Sequence, residues 1–206
     1  MHSGLFYWKK YKEISTHKIG LDLDYGIEVI GGRVYLCLDG SNSFSDWVYD
    51  FMFPRKVYKN QTAHMVVHRG FAKVWKSGND QIITELVEAC RLNNESHPVI
   101  VGHSMGGALA LFAAEDLFFR SGIKAEVYTF GAPKVCGDKK TAEYIKSCCH
   151  LIKEYEHKND VVCLCPPLPW FYHVSPVKIG VFSFKDIFRF NYNHHRYDVE
   201  EDYNGL

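Results

Sequence analysis

The sequence predicts an α/β fold in which a mainly parallel central sheet is flanked by helices, and three observations carry that expectation. Short runs rich in β-branched and aromatic residues recur at 33–38, 99–101, 126–130 and 151–156, the composition of strands set into a sheet. Segments of helical composition or spacing alternate with them at 82–90, 108–120 and 139–148, and strands alternating with helices build a parallel sheet covered on both sides. Ser41, Ser104 and the loop 157–169 all fall just after such strands, where open α/β sheets collect their functional groups.

Length and composition narrow the class. At 206 residues the chain is sized for one domain over 1–206, with no repeat, low-complexity tract or linker to divide it. Hydrophobic residues are 47% and charged residues 23%, an ordinary globular balance. A formal net charge of +0 leaves no basic field for nucleic acid, and no apolar run reaches the length of a membrane span. Met1 to Lys12 show no apolar leader, which favours a cytoplasmic setting. Seven cysteines, an odd number, do not read as a secreted disulfide framework. Cys148-Cys149-His150 and Cys163-Leu164-Cys165, near His157 and His173, are of metal-ligand types. However, Cys163 and Cys165 alternate with apolar residues and read as buried packing. No metal and no cofactor is expected.

Taken in order, residues up to Asp24 mix lysines and aromatics without clean periodicity and are expected to wrap the surface or supply an edge helix. Runs 25–30 and 33–38, joined by Gly31-Gly32, read as a hairpin whose more apolar second strand lies further into the sheet. Asp46 to Pro54 is aromatic and ended by proline; a packed helix, a mobile flap and an exposed partner site all fit it. A long segment then ends near Leu92, with Ile82, Ile83, Leu86, Val87 and Cys90 on one helical face. Asp138, after Gly137, reads as the N-cap of the helix over 139–148.

The chemistry centres on Gly102-His103-Ser104-Met105-Gly106, set between an apolar strand and a helix-forming run. A serine on so tight a turn has its hydroxyl pushed out at the carboxyl end of the sheet, and the glycines sit where a Cβ would collide with neighbouring backbone. The hydroxyl needs a base, and the base needs a third group to orient it. On sheets of this kind the usual chain order is serine, acid, histidine. Asp160 follows the 151–156 run and is the candidate acid. His173 lies among aromatic and apolar residues, as a satisfied core side chain would, whereas His194 and His195 share a polar loop. Residue type alone barely separates those two. Candidate oxyanion donors are the N–H of Met105, which follows the nucleophile, and that of Ser41 in the turn after an early strand.

Together these motifs resemble the class 3 (fungal-type) lipase family of α/β-hydrolases, from about residue 34 to 197 and in the family's order. Gly102-His103-Ser104-Met105-Gly106-Gly107 matches its G-H-S-[LM]-G-G turn. Leu38-Asp39-Gly40-Ser41 with Asp46-Trp47 resembles F-R-G-[ST]…D-W, and His68-Arg69-Gly70-Phe71 resembles H-x-G-F. Thr129-Phe130-Gly131-Ala132-Pro133-Lys134-Val135 resembles T-F-G-x-P-[RK]-V. Asn159-Asp160-Val161-Val162 with Pro166-Pro167 resembles N-D-x-V-P…P-P, and His194-His195-Arg196-Tyr197 resembles the H-x-x-Y of D-H-x-x-Y. Asp39 stands in place of an arginine, Cys136 of a glycine and Cys163 of a proline.

The resemblance implies a lipase-like serine carboxylic-ester hydrolase acting on acylglycerol or related lipid esters. Ser104 would attack, His194 shuttle the proton, with His195 as the alternative base, and Asp160 orient the histidine. Ser41 and Met105 would form the oxyanion hole. It also implies a lid at about 44–59, with Trp47, Phe51, Met52 and Phe53 facing the acyl pocket when closed and lipid when open. A phospholipase or short-chain carboxylesterase on the same site, and a catalytically silent binding member of the fold, are the competing readings. The expected partner is a lipid ester at a membrane or droplet surface.

Overall fold

A computed structural model describes residues 3–21, 23–40, 64–166, 169–185, 189 and 194–204, together with the backbone of 55–59. Helix α1 (Ser3–Glu13) opens the chain. It buries Leu5, Tyr7, Trp8 and Tyr11 along one stripe, so it is a packed helix where the sequence showed no clean period. The stripe is masked because its tyrosines also serve polar partners: the Tyr11 hydroxyl donates to Asp39 Oδ1 at 2.7 Å and that of Tyr7 to Glu126 at 3.4 Å. Strands β1 (His17–Ile19), β2 (Leu23–Ile30) and β3 (Arg33–Gly40) follow as an antiparallel set. Gly31 and Gly32 both have positive φ, 59° and 81°, the geometry of a two-residue hairpin turn, and Ile30 pairs Arg33 across it.

Strands β4 (Arg55–Lys59) and β5 (His64–His68) form a separate antiparallel pair. The long helical segment is in fact two helices, α2 (Arg69–Lys76) and α3 (Asn79–Leu92). The break falls at Ser77-Gly78, where the Ser77 hydroxyl turns back onto the Val74 carbonyl at 2.7 Å. On α3 the expected face is inward: Ile82, Ile83, Leu86 and Cys90 are buried and Val87 is half-buried. Then come β6 (Val99–His103), α4 (Met105–Ser121), β7 (Glu126–Phe130), α5 (Lys139–Cys148), β8 (Leu151–His157) and β9 (Pro176–Ile179). Asp138 caps α5, accepting from the Thr141 N–H at 2.7 Å.

Among the described residues the main sheet runs β1-β2-β3-β6-β7-β8-β9, parallel from β3 onward. The predicted mainly parallel sheet is present, with the second hairpin strand placed inward of the first. Side chains alternate between its faces. Leu36, Leu38, Ile100 and Val127 face a core built with α2, α3, α4 and α5. Tyr35, Cys37, Val101, Tyr128 and Phe130 face a smaller core under α1. Helix α4 is buried from Met105 to Leu117, and its Ala108, Ala110, Ala113 and Ala114 let it lie close to the sheet. Its two buried carboxylates are satisfied: Asp116 accepts from the Trp75 indole N–H at 2.7 Å and Glu115 from the Tyr144 hydroxyl at 3.1 Å. No helix among the described residues is long and apolar enough to cross a membrane.

Candidate active site

Ser104 joins β6 to α4 with φ 53° and ψ −125°. Such geometry in a residue with a Cβ costs about 1–3 kcal/mol and persists only where the surroundings enforce it. They do here. The Ser104 N–H donates to the Phe130 carbonyl on β7 at 2.9 Å, and its carbonyl accepts from Ala108 at 3.2 Å. On Gly106 a Cβ would overlap the Leu38 carbonyl oxygen and lie 2.8 Å from the Asp39 Cα. The carboxyl end of β3 therefore rests directly on the serine turn, and the glycine exists to allow it. The Ser104 hydroxyl is buried and makes no hydrogen bond among the described residues.

Asp160 stands just past β8, at the head of a 3₁₀ turn over Val161–Leu164. Its Oδ1 accepts from the Val162 N–H at 3.0 Å. Its Oδ2 receives two groups, His194 Nδ1 at 2.9 Å and the Tyr197 hydroxyl at 2.9 Å. Asp160 and His194 are both buried. His195 is exposed, its ring 5.3 Å from that of His194, and the Asp160 contact goes to His194 instead. Burial first, then the neighbouring His194, pushes the His195 imidazole below its ordinary value.

Two further side chains hold this pair. His103, fully enclosed beneath Trp8 of α1, places Nε2 2.8 Å from the His194 carbonyl. Burial drives its imidazole well below the ordinary histidine range, with His194 and His195 pushing the same way. A neutral His103 therefore carries its proton on Nε2 and donates it to that carbonyl. Arg196 forms an ion pair with Asp202, 3.0 Å from Nε to Oδ2, tying the 194–197 segment to the 3₁₀ turn Glu200–Tyr203.

Under the acid lies a second polar group. His173 sits just before β9 and places Nδ1 3.3 Å from Glu154 and Nε2 3.1 Å from Glu156, both carboxylates buried on β8. Its Nε2 is also 2.8 Å from the Cys163 carbonyl in the Asp160 turn. Glu154 accepts from the Val174 and Ser175 N–H groups, and Lys178 pairs with Glu156. Burial pulls the His173 imidazole down, but the hydrogen bond and charge of Glu154, with the charge of Glu156, outweigh it and leave it raised. This is a satisfied, half-buried histidine, the packing role the sequence indicated.

Met105 is the first residue of α4, where a helix leaves its N–H groups outside the internal ladder. Ser41 and the lid candidates Trp47, Phe51, Met52 and Phe53 lie outside the described residues. Cys163 is buried as expected, whereas Cys165 is exposed because the chain turns outward at the end of the 3₁₀ turn. Sequence reasoning assigned no role to Tyr197 or His103. Both lie inside quoted motifs, but only the fold shows what they touch.

A profile of the lipase (class 3) family matches residues 35–170. Among curated proteins, the chain is 36% identical over 153 residues to the secreted mono- and diacylglycerol lipase A of Penicillium cyclopium, covering 73% of this chain and 48% of that one. It is 32% identical over 142 residues to a lipase of Rhizopus niveus, covering 65% and 35%. Among solved structures, a Rhizomucor miehei lipase propeptide complex superposes with a TM-score of 0.74 at 25% identity, covering 82% of this chain and 55% of that one. Lipase II from Rhizopus niveus gives 0.72 at 26% identity, covering 82% and 66%. The chain spans about half the length of the Penicillium protein and a third of the Rhizopus one.

Proposed function

The chain belongs to the class 3 lipase family of α/β-hydrolases, and from that premise we propose that it is a serine carboxylic-ester hydrolase cleaving acylglycerols. The observation that supports this most is the buried Asp160–His194 pair, 2.9 Å apart, tied through the His194 carbonyl to His103, the residue before a serine held at positive φ. Ser104 Oγ attacks the ester carbonyl carbon while His194 Nε2 takes its proton. Asp160 fixes the tautomer with hydrogen on Nδ1 and stabilises the imidazolium that forms. The oxyanion is held by the N–H groups of Met105 and of Ser41, which follows the β3 end that abuts the serine turn. His194 returns the proton to the departing alcohol, leaving an acyl-serine. Water, deprotonated by His194, then releases the fatty acid.

We take 1–206 as one domain and keep the expected lid, with Trp47, Phe51 and Phe53, only up to residue 54, because 55–59 of the expected 44–59 form strand β4 paired with β5. A fluorophosphonate probe tests the nucleophile: the modified peptide should contain Ser104, and labelling elsewhere with Ser104 untouched contradicts the assignment. Substrate class is read from a chain-length series of p-nitrophenyl esters beside mono- and diacylglycerol and phospholipid. Preference for the acylglycerols is expected; turnover confined to phospholipid would replace this reading.

A further inference from the structure

The loop following β9 carries a cluster of exposed apolar side chains that the hydrolytic site does not use. Of the ten large apolar side chains exposed among the described residues, five lie between 164 and 184: Leu164, Trp170, Val181, Phe182 and Phe184. The others are scattered along the chain, as single exposed apolar residues normally are. Val181 and Phe184 are 81% and 79% exposed, and the rings of Phe182 and Phe184 meet edge to face at 5.0 Å.

This loop is anchored to the acid-bearing segment. The Ser183 N–H donates to Asn159 Oδ1 at 3.0 Å, one residue from Asp160. The Lys158 N–H donates to the Ile179 carbonyl at 3.0 Å and the Gly180 N–H to that of Asp202 at 2.8 Å. Strand β9 is parallel to β8, β7 and β6, so its carboxyl end faces the same side as the serine turn. Three strand spacings separate β9 from β6, about 14 Å. Leu164 projects from the Asp160 turn itself, and its carbonyl is held by Lys134 Nζ at 2.7 Å. Exposed Lys158 and Lys185 flank the loop.

We propose that 181–184, with the flanking Lys158 and Lys185, is a docking surface for a lipid aggregate bearing anionic headgroups. The aromatic tips enter the interface and the lysines meet the headgroups, the combination by which peripheral proteins hold a membrane surface. Docking there turns the carboxyl edge of the sheet, with Ser104 and Asp160, toward the lipid. The choice of lipid as partner rests on the activity proposed above; the surface itself is read from exposure, charge and position.

The test separates the two. Ser104→Ala protein is titrated with vesicles of phosphatidylcholine alone and of phosphatidylcholine with phosphatidylglycerol, read by co-sedimentation. Adding Phe182→Ser with Phe184→Ser should weaken binding to both by roughly tenfold or more. Lys158→Gln with Lys185→Gln should weaken binding only to the anionic vesicles. In the Ser104 background both variants keep kcat on a soluble short-chain ester, because none of these residues touches the reacting groups. Vesicle binding unchanged by the phenylalanine pair overturns the proposal. So does loss of a dimer on the same substitutions, seen by sedimentation velocity, which would assign the patch to a second copy. An enzyme inactive on every ester but still bound to vesicles through the phenylalanines would sink the activity and leave the surface standing.

Discussion

The Tyr197 hydroxyl donates to Asp160 Oδ2 at 2.9 Å, on the same carboxylate oxygen that faces His194. Tyr197 is fully enclosed, and burial first, then the Asp160 charge, raises its phenol well above the ordinary tyrosine range. It is therefore a donor at every working pH. Both Asp160 oxygens are filled in this buried site: Val162 on one, Tyr197 and His194 on the other.

Tyr197→Phe removes one bond to a charged acceptor, worth about 1.5–3 kcal/mol, and the bond the hydroxyl accepts from the His157 N–H at 3.3 Å. The expected result is a lower Tm and a several-fold fall in kcat on a soluble ester with KM unchanged. An unaltered Tm and kcat would show that the hydroxyl contributes nothing to holding Asp160.

The neighbouring histidines are separated by a pair of alanine variants. His194→Ala should lose about 10³-fold or more in kcat, and His195→Ala, whose side chain is exposed, should stay within a few-fold of the parent. The reverse pattern would make His195 the base.

The Glu154–His173–Glu156 group predicts how stability changes with pH. The folded His173 value is raised, so its contribution is complete below the unfolded value near 6.5 and fades as pH rises through the folded one. Urea midpoints of the parent should decline across that alkaline interval, and His173→Gln should flatten the decline. The variant should also lose about 3 kcal/mol at pH 6, because it leaves two carboxylates facing each other in a buried site. Equal pH slopes for the two proteins would refute this.

Gly106→Ala sets a Cβ against the Leu38 carbonyl, backbone that cannot rotate away, and should cost about 3 kcal/mol and most activity. Gly122→Ala is the control. It has a positive φ, which Gly106, inside helix α4, does not, and its Cβ would meet open space, so a loss of only about 1 kcal/mol is expected. Equal losses would show that the close approach to Leu38 adds nothing at Gly106.

What the sequence disclosed was whatever depends on local chemistry. Gly31-Gly32 announces a hairpin because few other pairs accept positive φ twice. The glycines around Ser104 announce a close approach before its partner, Leu38, is known. Helix α1 was hidden because Tyr7 and Tyr11 bury their rings while their hydroxyls reach for Glu126 and Asp39, which blurs an apolar period. The division of 69–92 into two helices turns on one serine hydroxyl. Residue chemistry did not separate the neighbours His194 and His195; the motif spacing favoured His194, and the loop turns that ring toward Asp160. The hold of Tyr197 on Asp160 crosses from the last loop to the turn after β8, and no local pattern encodes it.

The most direct measurement is turnover of a soluble short-chain ester by the parent and by Ser104→Ala under identical conditions. In Ser104→Ala, kcat should fall at least about 10³-fold while the fold, judged by circular dichroism and Tm, is kept. A Ser104→Ala protein that retains most of the parent's rate would contradict Ser104 as the nucleophile.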